Sequence, residues 1–179
     1  MRHVFPCGIP ALDFVGTLQE RRTPVPLERI GSPALLDSWL VQAGLLDRHP
    51  GSDRADLCAA LELREAIYAL VSARLTGCAL PVKAVITVNR QAAGVPVVMR
   101  LGVAGSSRSG KTAQALTDLA RQAVEILAGD DATLLRECGR TDCTHVYLDR
   151  SRGRRREWCA MRTCGNRVKA AALRARRRA

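Results

Sequence analysis

Aromatic residues are scarce in this chain of 179 residues: two Trp, two Tyr and two Phe, 3% of the total. A core of stacked rings is thereby excluded, and the ordinary apolar fraction of 47% must be packed as Leu, Val, Ile and Ala. Long apolar runs are missing too. None approaches the ~20 consecutive residues that a membrane-spanning helix needs. The stretch MRHVFPCGIPALDF is interrupted by Pro6, Pro10 and Asp13, which argues against a secretory signal. A cytoplasmic location is therefore expected, where the seven cysteines stay reduced and serve metal binding better than disulfides. Histidine is the third scarcity. His3, His49 and His145 are the full set, none stands in a Ser/His/Asp or Cys/His signature, and no enzyme is expected.

Acidic residues are scarce at one end only. Residues 136–179 hold fourteen Arg or Lys against four Asp or Glu, and residues 1–135 hold fourteen against thirteen, so nearly all of the +11 net charge sits on the last quarter. Such a basic segment on a near-neutral domain is the electrostatic footprint of nucleic-acid binding.

That same segment carries four cysteines in two equally spaced pairs, Cys138/Cys143 and Cys159/Cys164, each enclosing four residues and separated by fifteen. This is metal-ligand spacing, and four thiolates match tetrahedral Zn²⁺ with no position left open for water. One Zn²⁺ on four thiolates removes two charges and leaves about +8 on the tail. Between the pairs, HVYLDRSRGRRREW reads as strand, turn, strand: Val146, Tyr147 and Leu148 lead in, Gly153 turns, and Trp158 leads back. After the second pair, Asn166 is a helix-capping residue and RVKAAALRARRR propagates a helix. Val168, Ala171, Ala172 and Ala175 form its apolar side. Knuckle, hairpin, knuckle and helix resemble a treble clef. His145 is expected at the surface, polar or facing DNA, and Cys7, Cys58 and Cys78 as small buried hydrophobes.

Upstream, Ser32 can cap a helix that Pro33 opens and Gly44 stops, with Leu36, Trp39, Leu40 and Ala43 on one face. A second helix is expected over 53–76 with Leu57, Leu61, Ile67, Leu70 and Val71 inward and Gly77 ending it. A third runs from Pro81 to Gly94, and a fourth from Thr112 to Ala128 with Leu116, Leu119, Ala120, Ala123 and Leu127 buried. Val95 to Val103 is the best strand candidate, and a short helical turn is expected around Leu134 and Leu135. Residues 1–30 give few regular signals. The expected fold is α+β: a predominantly helical domain over 1–133 with a small β element, and a treble-clef-like four-cysteine zinc module over 134–179.

The stretch WCAMRTCGNRVK, preceded by CGRTDC, resembles the CGNR zinc-finger family, whose name is spelled by Cys164, Gly165, Asn166 and Arg167. ALDFVGT at 11–17 and LREAIYAL at 63–70 resemble the ABATE domain that usually accompanies it. One position departs from that family's pattern: Gly16 stands where Asn is usual. The resemblance implies a stress-induced transcription regulator with the zinc module as the DNA binder, acting in the cytoplasm with no membrane partner. The first domain would then sense a small-molecule effector or pair subunits as a homodimer.

The candidate DNA contacts are the arginines of the loop tip, Arg150, Arg152, Arg154, Arg155 and Arg156, and the basic residues of the last helix, Arg167, Lys169, Arg174, Arg176, Arg177 and Arg178. Arg binds phosphate bidentately and reads guanine edges, and most of these residues are expected on the DNA backbone. Arg162, Arg167 and Lys169 lie nearest the metal, where they also offset the negative zinc–tetrathiolate charge. A zinc-stabilised module that binds RNA or an acidic protein is the alternative partner reading.

A competing motif is GSSRSGKT at 105–112, which fits the phosphate-binding P-loop pattern without mismatch. In that reading Lys111 reaches terminal phosphates and Thr112 holds Mg²⁺. The surroundings oppose it: only 67 residues follow Thr112, and they hold no apolar strand ending in a metal-binding Asp. The stretch also suits the turn of a hairpin begun by Val95 to Val103.

Overall fold

The computed structural model describes residues 2–177. Its four main helices follow from their end signals. α2 (Pro33–Gln42) starts where the Ser32 hydroxyl accepts the Leu35 N–H at 3.3 Å. α3 (Arg54–Thr76) is held at its start by a reciprocal capping box between Asp53 and Asp56 and stopped by Gly77 at φ +70°, a left-handed conformation that favours glycine. α4 (Val82–Ala92) and α5 (Thr112–Ala128) complete the set. α3, α4 and α5 pack pairwise, burying Ile67, Leu70, Val88, Leu116, Leu119 and Ala123 between them.

A short α1 (Pro10–Val15) has no counterpart in the sequence expectations, yet five of its six residues are buried. It packs on α3 and α5, and Phe14 meets Trp39 of α2 at a centroid distance of 5.3 Å. Three of the six aromatics, Phe5, Phe14 and Trp39, form one tilted cluster. β1 (Leu18–Gln19) and β2 (Leu27–Glu28) then pair antiparallel.

The strand expected over 95–103 is β3 (Val98–Gly102), and it pairs antiparallel with β4 (Gly105–Ser109), Val98 opposite Ser109 and Gly102 opposite Gly105. The first five residues of the P-loop-like motif are therefore a hairpin strand, and the turn lies at 103–104. Strand N–H groups point sideways into the ladder, so they do not converge on a phosphate. Arg108 is further fixed by exchanging backbone bonds with Asp47, donating to its carboxylate at 2.7 Å and accepting its N–H at 3.0 Å. Among the described residues all three sheets are two-stranded and antiparallel, so the parallel sheet that a P-loop fold needs is missing there.

The zinc segment is not a separate lobe. β5 (Leu135–Glu137), preceded by one 3₁₀ turn over 130–134, pairs antiparallel with β6 (Val146–Leu148). β5 packs on α3 and β6 on α1, so that Leu135, Val146, Tyr147 and Leu148 join the helices in one continuous core. The pairing corrects the expected hairpin: β6 pairs backward across the first cysteine pair, and 149–158 form turns with no returning strand at Trp158. A last helix, α6 (Asn166–Arg176), follows one π turn over 161–165. Asn166 does not cap it, because the preceding Gly165 is already helical at φ −60°, ψ −46°.

Candidate metal centre and basic surface

The two cysteine pairs meet because β5 and β6 bracket the first pair and the turn before α6 carries the second. Cys138 donates its N–H to the His145 carbonyl at 3.0 Å, and Cys143 to the Arg140 carbonyl at 2.9 Å, closing the first knuckle. Gly139 N–H reaches the Glu157 carbonyl at 2.8 Å, tying that knuckle to the approach of the second. In the second knuckle a Cβ on Gly165 would fall 2.6 Å from Met161 Sδ and 3.1 Å from Trp158 Cδ1. A larger residue beside Cys164 would have to push the thioether end of Met161 aside.

All four sulphurs are buried and lie within 4.8 Å of one another. Cys143 and Cys159 are 3.9 Å apart, and Cys159 and Cys164 are 3.6 Å apart. Tetrahedral Zn²⁺ with bonds of ~2.3 Å sets sulphurs about 3.8 Å from each other, whereas a disulfide needs ~2.05 Å. The donor set fits Zn²⁺. Hydrogen bonds from the Cys143 and Cys159 thiols hold Cys138 far below the usual thiol range, and the same bonds push Cys143 and Cys159 up. Sulphurs this close cannot all ionise until a dication supplies the opposing charge.

Two side chains support the centre. His145 is buried, contrary to the expected surface role, with Nδ1 3.3 Å from Cys143 Sγ. Burial lowers its pKa, and a neutral imidazole donates Nδ1–H to a thiolate. Its ring lies over Gly16, where a Cβ would come 2.5 Å from Cδ2, so the ring occupies the space of the side chain that Gly16 lacks. Arg140, inside the first knuckle, is four-fifths buried and 3.5 Å from Glu20. Burial lowers its pKa, but the Cys164 and Cys143 sulphurs raise it further, for a net increase. Neither role was legible from sequence, though an arginine between two ligand cysteines is a usable signal.

The arginines of the loop divide. Asp149, itself buried, accepts the Ser151 N–H at 3.0 Å and hydroxyl at 2.6 Å and the Arg156 N–H at 3.1 Å, folding the loop into a tight turn. Arg152, Arg154 and Arg155 are exposed on it, with Gly153 and Arg154 at φ +77° and +52°. Arg150 is exposed but pairs with Asp131 at 2.6 Å. Arg156 turns inward: its guanidinium lies 4.2 Å over the Tyr147 ring and donates to the carbonyls of Trp158, Pro6 and Cys159.

α6 buries no residue. Arg167, Lys169, Arg174, Arg176 and Arg177 are all exposed on it, and Arg178 lies outside the described residues. One groove along the helix is lined by Arg140, Arg162, Arg167 and Arg174 with Asn166. A second, at its start, brings Arg155 and Lys169 beside Trp158 and Met161. Of the lone cysteines, Cys7 is buried as expected, but Cys58 and Cys78 are exposed, because they fall on the solvent side of α3 and just beyond its end.

Comparison with known families agrees with this geometry. A family model described as "ABATE: Putative stress-induced transcription regulator" matches residues 8–130, more than half of the chain, and one described as "CGNR zinc finger" matches residues 135–177. No curated protein matches the chain.

Proposed function

We propose that this chain, which belongs to the ABATE family of stress-induced transcription regulators and carries a CGNR zinc finger, regulates transcription by binding duplex DNA through its zinc-organised basic surface. Cys138, Cys143, Cys159 and Cys164 would hold the ion. Bound Zn²⁺ cross-links the two knuckles and contributes folding free energy. A complete protein ligand set marks it as structural, and neither matching family is an enzyme family.

The observation that carries the reading is α6. It follows the ligand Cys164 closely and buries no side chain fully, and with the residue after its end it presents Arg167, Lys169, Arg174, Arg176 and Arg177 to solvent. A helix with no fully buried side chain and only Val168 half-buried is unusual in a folded chain, since most helical stability comes from packing. A polyanion laid along it supplies the missing partner. Arg152, Arg154 and Arg155 then contact the DNA backbone from the loop, and the groove of Arg140, Arg162 and Arg174 takes phosphate. Arg156 and Arg150 are spent within the protein. The helical domain over 1–133 senses an effector or pairs subunits.

Salt dependence of duplex binding tests the reading. About six phosphate contacts give a slope near −5 for log K against log salt. Salt-insensitive binding would overturn it, and equal competition by RNA and unrelated polyanions would favour the zinc-stabilised RNA- or protein-binding module instead.

A further inference from the structure

An open cleft of about 140 Å³ lies where the C-terminal ends of α3 and α5 meet α4. Leu70, Val88 and Leu127 form its buried floor, and Leu80, Val85 and Val124 its half-buried walls. A dry apolar cavity of ~150 Å³ takes up a benzene-sized guest. The mouth carries two polar side chains, Arg74 and Asn89, both exposed.

We propose that this cleft binds a small, uncharged, mainly apolar molecule with one acceptor oxygen, of the size of a phenol or a cyclic alcohol. The lining residues fix the class. No carboxylate borders the cleft and the Arg74 guanidinium stands at its mouth, so a cation is repelled. α3 ends at Thr76 and α5 at Ala128, and helix C-termini carry partial negative charge, which disfavours a carboxylate. Arg74 already answers part of that charge by donating to the Leu127 carbonyl at 3.2 Å. A guanidinium has five N–H groups, so donors remain for a neutral oxygen, and the Asn89 amide adds more. The volume suits one ring. Val82 and Ile86, exposed on the same helix as Val85 and Asn89, extend the apolar rim.

The inference rests on the sensing half of the reading above, and phenol binding is measured without DNA, so either can fail alone. The zinc-loaded full chain is titrated with phenol, benzoate and benzylamine and followed by backbone amide NMR. The expected result is saturable shifts around Leu70, Val88 and Leu127 with phenol at about millimolar Kd or tighter, and at least tenfold weaker binding of both charged analogues. Val124→Phe, which fills the cleft from one wall, should abolish the phenol shifts while the rest of the spectrum stays folded. Val85→Phe repeats that test from the opposite wall. Benzoate or benzylamine binding as tightly as phenol overturns the proposal on the wild type alone. So does a phenol response that never saturates, or one that is unchanged in both folded variants.

Discussion

The imidazole of His145 lies directly over Gly16, so close that a Cβ at residue 16 would stand 2.5 Å from Cδ2 and 2.8 Å from Nε2. The contact joins the end of α1 to the first zinc knuckle, because Nδ1 of the same ring is 3.3 Å from Cys143 Sγ. Gly16→Ala must displace the ring or the helix end. The expected cost is about 1–3 kcal/mol, the usual range for overpacking, with faster loss of zinc to a chelator. His145→Ala in the same chain should recover part of it, and a double-mutant cycle by denaturant unfolding reads the coupling.

Arg156 and its neighbours in the loop should separate cleanly. Arg156→Lys loses the planar fork that stacks on Tyr147 and reaches three carbonyls, since Lys cannot reproduce that geometry. It should destabilise by about 2 kcal/mol. Arg152→Gln, Arg154→Gln and Arg155→Gln should each leave stability within about 0.5 kcal/mol. Each should also flatten the salt slope of duplex binding by about one. Thermal unfolding beside fluorescence anisotropy distinguishes the two groups.

Asp13 sets a pH dependence. Burial raises its carboxyl to about 6, against the lowering effect of hydrogen bonds from Cys7 and Gly8. A carboxyl whose folded pKa exceeds its unfolded value binds protons better when folded. Its contribution is therefore fully present below about pH 4 and lost as pH rises through about 6. The wild type should lose up to about 3 kcal/mol relative to Asp13→Asn between these limits. The difference between the two unfolding free energies, measured at constant free zinc, reports it. A difference that is flat across this range would contradict the assignment.

Lys111→Ala provides a negative control for the phosphate-loop motif. Lys111 stands at the start of α5, with its N–H bonded to the Gln114 side chain at 2.9 Å, after a stretch already paired as β4. Neither wild type nor variant should bind ATP or GTP in equilibrium dialysis.

The helices were legible because their signals are local. Ser32, Gly77 and the apolar period of 112–128 lie within the element they define, and α2, α3 and α5 appear where those signals put them. The four zinc ligands were legible for the same reason, since spacing alone encodes the knuckles. What escaped depends on contacts between distant residues. α1 is a helix because α3 and α5 cover it, and its proline-rich surroundings hide that. β6 pairs with β5 across the first knuckle, a choice that the turn signal at Gly153 does not reveal. His145 is buried because residue 16 is glycine, 129 positions earlier in the chain. Arg156 looks like its neighbours in sequence and differs only because Tyr147 and Pro6 lie beneath it.

The central claim is that one zinc ion on Cys138, Cys143, Cys159 and Cys164 organises the surface that binds DNA. Metal content and duplex binding, measured together on the wild type and Cys159→Ser, test it most directly. The wild type should carry about one zinc per chain, and the variant should lose metal and salt-sensitive duplex binding together. A variant that keeps its zinc, or one that loses zinc and binds duplex as before, would contradict it.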